Sequence, residues 1–195
     1  MEAGETVARA LQLPLRLAYH DILRQEIPSG WQGYFHLAIL RDVIEHLEDT
    51  ELALRRIKSL LQPGGFLLVV FPPYPSPFGG HQHLSRSPWG KVPYLHLLPD
   101  KIFSQLLGAE TSQENSEVFR LRAIKLSVPK FLRAVRRVGL SLKAERHYLL
   151  RPALWYRVGL PFLPIIPLTP FVRLWPDLLQ YFCTEAGLPA SKAFR

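Results

Sequence analysis

A single cysteine, Cys183, stands in 195 residues, which excludes an intrachain disulfide framework and a zinc site built from several cysteines. A reducing, cytoplasmic setting is therefore the expectation. Long hydrophobic runs are missing too. One apolar, uncharged stretch, VGLPFLPIIPLTPFV at 158–172, is too short for an ordinary membrane-spanning helix and carries proline at 161, 164, 167 and 170. The N-terminus, MEAGETVARALQLPL, holds acids and no sustained apolar core, so a signal peptide is not expected. Acidic residues are scarce in one region: between 115 and 151 there are ten Lys or Arg against two Glu, an excess that equals the whole net charge of +8. Such a face could attract nucleic acid, an anionic membrane or an acidic substrate. Aromatics are few there (Phe119, Phe131, Tyr148) and no nucleic-acid-binding motif accompanies them. A solvated helix face is the preferred reading, and nucleic acid is not expected as a partner.

With 48% apolar residues the chain can bury a sizeable core. Many of its eighteen prolines fall in two clusters, at 72–77 and 161–170. The second has the three-residue spacing of a polyproline II segment. Trp155 and Arg157 precede it, and Arg173 and Trp175 follow, a pattern that would suit peripheral contact with a membrane surface. A buried apolar crossing over a substrate pocket is preferred.

Periodicity outlines an α/β chain. Residues 5–11 read as a short helix stopped by Pro14, and LRLAYHD at 15–21 alternates like a short strand. YFHLAIL at 34–40 and FLLVVF at 66–71 are near-continuous apolar runs, as in parallel strands covered on both faces. Between them lies a helix over 49–61, with acids at its start and bases later, ended by Gln62-Pro63-Gly64-Gly65. The strand, helix, strand order implies a right-handed parallel crossover. A second helix spans 128–138 and stops at Gly139. LSLKAERHYLL supplies a further strand, and a last one is expected within 178–194.

The stretch RDVIEHLED, 41–49, carries the chemistry. Asp42, Glu45 and His46 stand at i, i+3 and i+4, a spacing that puts three potential ligands on one side of a helical turn. A metal grip, a helix cap and the rim of a cofactor pocket all remain open on this evidence. After the second strand, PPYPSPFGGHQHLSRSPW places His81 and His83 behind two glycines that permit a tight approach. Either histidine would serve as a general base, with an ordinary imidazole pKa near the working range; packing of the loop is the alternative.

The segment YFHLAILRDVIEHLEDTELALRRIKSLLQPGGFLLVVFPP resembles the fourth strand, following helix and fifth strand of class I S-adenosylmethionine-dependent methyltransferases. VPKFLRAVRRVGLSLKAERHYL is similar to the family's next helix, glycine and sixth strand, and LRLAYHDIL to its third strand with the acid behind it. The resemblance implies a Rossmann-like α/β sheet, present from the third strand onward, with helices on both faces. Residues 1–150 would form this partial domain, and 151–195 an apolar lid or sheet-completing segment. It implies S-adenosylmethionine as cofactor, with Asp21 and Ile22 toward its adenine side and Arg41 and Asp42 toward the reaction centre.

A Glu-x-x-Glu-His pattern like the one here holds a divalent cation in small-RNA 2′-O-methyltransferases and ubiquinone-pathway O-methyltransferases. Asp42, Glu45, His46 and His83 are thus the implied ligands of magnesium, manganese or zinc. The family's glycine-rich turn has no counterpart upstream of Leu15, where Gly4 stands alone. The expected function is O- or C-methylation of a small or lipid-like acceptor, by a chain that looks like a methyltransferase without its N-terminal third. A non-catalytic remnant that binds a partner or a membrane surface is the alternative. A sheet edge left unpaired could join a second copy in a homodimer.

Overall fold

The computed structural model describes residues 2–108, 113–148 and 181–187. A four-stranded sheet organises them in the order β1-β2-β4-β3, from β1 (Phe35–Arg41), β2 (Leu61–Phe71), β3 (Ser141–Tyr148) and β4 (Tyr181–Gly187). β1 and β2 are parallel, and β4 lies antiparallel between β2 and β3. The parallel pair is joined by α2 (Thr50–Leu60), the crossover expected from the alternating apolar runs.

Local chemistry explains the boundaries. Asp49 caps α2, its carboxylate accepting from the Leu52 amide at 2.8 Å. β2 starts five residues before the apolar run, because 62–65 form an irregularity that shifts the pairing from Phe35–Leu61 to Leu37–Phe66. At Gly65 a Cβ would come within 2.9 Å of the Gln62 carbonyl, so this close passage requires glycine. Helix α5 (Val128–Val138) is capped by Ser127 and ends where Gly139 turns left-handed, at φ 71°. Lys58 reaches across from α2 and donates to the Val138 carbonyl at 2.7 Å.

One sheet face is fully covered. Leu67, Val69 and Phe71 pack beneath Ala53, Leu54 and Ile57 of α2 and Phe131 and Val135 of α5, forming the main core. On the other face Leu37, Ile39 and Phe66 remain 50%, 59% and 48% exposed. The short strand expected at 15–21 is corrected. Among the described residues, α2 and α5 pack on one face, and residues 15–21 are extended but pair with no strand. A strand needs a hydrogen-bonded neighbour, and the neighbour that would carry one from 15–21 to β1 is not part of this sheet.

Helix α1 (Glu2–Ala10) occupies the predicted N-terminal helix. Two elements went unforeseen, α3 (Asp100–Leu107) and α4 (Gln113–Ile124). Phe103 and Leu107 of α3, Val118 of α4 and Leu95 make a second, smaller core. Helix α4 packs against the short turns Ile44–His46 and Gln82–Leu84. No helix among the described residues is long and apolar enough to cross a membrane, and the 158–172 stretch lies outside them.

Candidate functional site

The parallel strands end together, and the chain turns sharply at both ends. After β1, Asp42 adopts a left-handed backbone (φ 54°) while its amide still donates to the Val70 carbonyl of β2 at 2.9 Å. A short 3-10 turn, Ile44–His46, follows and buries Ile44 and Glu45, the latter 3% exposed. After β2, the loop through the first proline cluster carries His81, also left-handed at φ 52°. Non-glycine residues rarely sit in that region, and the two here mark turns that their surroundings hold in place.

These turns bring Glu45, His46 and His81 together, each with one ligand atom, all within 4.8 Å of one another. The rings of His46 and His81 are 5.2 Å apart. His83 is exposed and stands behind His81, ring to ring at 5.8 Å, with Phe78 on its other side. Thus His81, rather than His83, meets Glu45 and His46. Burial pushes the His81 pKa down to about 4, helped by His46 and His83 and opposed by Asp42 and Glu117. The ordinary value expected of a general base is therefore corrected at His81.

Glu117 of α4 completes the cluster: its Oε1 is 2.6 Å from His46 Nδ1 and accepts from Arg120 at 3.0 Å. Burial alone would raise the Glu117 pKa, but Arg120 and His46 bring it below the usual carboxylate value. The sequence held a weak signal for this residue. The apolar positions of 113–124 keep no helical period, so the helix that delivers Glu117 was not recognised.

Beside the cluster lies a cavity of about 420 Å³, lined among others by Asp21, Ile22, Asp42, Val43, His46 and Arg120. Its volume is that of a small-molecule site. Asp21 and Ile22 reach it as the sequence suggests, yet the Asp21 carboxylate also closes its own turn. It accepts from the amides of Leu23 (2.9 Å) and Arg24 (3.1 Å) and from the Arg24 guanidinium, and the Leu23 bond leads in depressing its pKa. Arg41, the last residue of β1, is exposed and does not line this cavity.

Residues 6–69 match the family model described as a methyltransferase domain. The stretch from α1 to β2 is thus similar to that family. Over 77 residues it is 35% identical to uncharacterized methyltransferases of Mycobacterium tuberculosis and Mycobacterium bovis, a stretch covering 40% of this chain and 38% of theirs. The matched part thus spans well under half of those relatives.

Among solved structures, geranyl diphosphate C-methyltransferase from Streptomyces coelicolor aligns with 96% of this chain and 60% of its own (TM-score 0.53, 15% identity). The 4+2 cyclase SpnF aligns with 97% and 62% (TM-score 0.53, 14% identity). At such identities the methyltransferase fold is what is shared. That a cyclase shares this fold shows that the fold does not fix the reaction.

Proposed function

We propose that the chain works as part of an S-adenosylmethionine-dependent methyltransferase acting on the oxygen or carbon of a small or lipid-like molecule. The observation that carries the reading is the shared lining of one cavity by Asp21, Ile22 and Asp42 at the C-terminal end of β1. In open α/β sheets ligands bind at that end. S-adenosylmethionine supplies an electrophilic methyl group on a sulfonium centre. Around it, Asp42 provides a carboxylate at the strand end, Ile22 an apolar surface for the adenine side, and the turn at Asp21 a fixed backbone. The structural neighbour that holds geranyl diphosphate gives the acceptor class its support. Variant titrations test the placement. Asp42→Ala and Val43→Trp should each weaken cofactor binding about tenfold, the scale of one lost hydrogen bond to a charged group. Arg133→Ala on α5 should leave binding unchanged, and equal affinity in all three variants would remove the cavity from the account.

A divalent cation is favoured by a separate observation, the convergence of Glu45, His46 and His81. One carboxylate with two imidazoles suits manganese or zinc more than magnesium, which prefers oxygen donors. With its pKa near 4, His81 is neutral at physiological pH and keeps a lone pair for coordination. The same property weakens it as a proton acceptor, so it reads as a ligand. Asp42 stands next to this set, and a cation held there would polarise an acceptor hydroxyl.

A further inference from the structure

We infer that Glu117 is a positioning residue that holds His46 in its Nδ1–H tautomer and thereby presents Nε2 to Glu45 and His81. Its use rests on the cation reading above, whereas its geometry does not. An ionised carboxylate only accepts hydrogen bonds, so the 2.6 Å contact between Glu117 Oε1 and His46 Nδ1 places the ring hydrogen on Nδ1. In the neutral ring the other nitrogen, Nε2, carries the lone pair, and it lies 3.7 Å from Glu45 Oε1. A cation seated between that nitrogen and the Glu45 carboxylate would bond both.

The nearer acceptor, at 2.6 Å against 3.7 Å for Glu45, lies outside RDVIEHL. Glu117 comes from α4, seventy-one residues along the chain, and Arg120 on the same helix holds the same oxygen from the other side at 3.0 Å. The arrangement of carboxylate, imidazole and metal-facing nitrogen is the one that raises ligand basicity and fixes ring orientation. Helix α4 therefore completes the site as well as packing against it.

Nitrogen-15 NMR of the His46 ring at pH 8 and cobalt(II) titration followed by visible absorption test the inference on the full chain. Wild-type His46 should show the Nδ1–H tautomer. Glu117→Ala should move it toward Nε2–H and weaken cobalt binding by about 10- to 100-fold. Glu117→Gln, whose amide oxygen can still accept from Nδ1–H, should keep the tautomer and lose less affinity. The same tautomer in wild type and Glu117→Ala, or equal cobalt affinity in the two, would overturn the inference. If wild type binds no cobalt while Glu117→Ala still shifts the tautomer, the cation reading fails and the positioning role stands.

Discussion

Tyr74 and His96 bond each other twice. The Tyr74 hydroxyl donates to the His96 carbonyl at 2.9 Å, and His96 Nε2–H donates to the Tyr74 carbonyl at 2.5 Å, with the rings edge to face at 4.8 Å. This double clasp closes the loop that carries His81, because it ties Tyr74, three residues after β2, to His96, four residues before α3. Removing the hydroxyl in Tyr74→Phe should cost about 1 kcal/mol, a single neutral hydrogen bond. Urea unfolding of both proteins at pH 8 reads this difference.

His96 also makes stability depend on pH. Burial lowers its pKa to about 4, opposed by the bond to Tyr74 and helped by the Arg122 charge. The unfolded imidazole keeps its ordinary value near 6.5, so as pH falls the unfolded chain takes the proton first. The stabilisation is complete above about pH 6.5 and is lost progressively toward pH 4. His81 acts in the same window and direction. The urea midpoint should therefore fall between pH 8 and pH 5, and His96→Gln should flatten part of that decline. An unchanged slope in the variant would contradict the assignment.

Arg122 fastens the same loop from α4. Its guanidinium donates to the carbonyls of His96 and Leu98, pairs with Asp100 at 2.6 Å and lies over the Phe103 ring at 4.5 Å. Only 7% of this residue is exposed. A lysine reaches one of these partners at a time and cannot reproduce the planar fork. Arg122→Lys should cost about 2 kcal/mol through the carbonyl left unsatisfied, seen as a lower melting temperature. Equal melting temperatures would show that the fork is dispensable.

Two glycines set how closely the loop can fold. A Cβ at Gly79 would lie 2.1 Å from the Pro73 carbonyl, and one at Gly80 would lie 2.4 Å from the His96 Cβ. Neither has a positive φ, so space rather than backbone freedom demands glycine here. Gly80→Ala should destabilise the protein by about 1–3 kcal/mol and move the ring resonances of His81 away from those of His46. Gly30→Ala, where a Cβ meets nothing within 4 Å, is the control and should change neither.

The strand, helix, strand unit was legible because each part carried a local signal. Apolar runs marked β1 and β2, Asp49 marked the start of α2, and Gly139 marked the end of α5. The register between Phe35 and Leu61 was not legible, since a bulge at 62–65 depends on the neighbouring strand. At the site, RDVIEHLED resolved in parts. Asp49 is the helix cap, and Asp42 lines the cavity. Choosing between His81 and His83 required the left-handed turn at His81, a tertiary constraint no local pattern announces. Glu117 was hidden by an aperiodic helix. Asp21 shows the reverse case, where a carboxylate with a plausible ligand role is engaged by its own turn.

Calorimetric titration of the full chain with S-adenosylmethionine tests the central claim most directly. Saturable heat at millimolar cofactor or below, reduced in Asp42→Ala, is the predicted result. No detectable binding at millimolar concentration, in a sample whose unfolding is cooperative, would contradict the methyltransferase reading for this polypeptide.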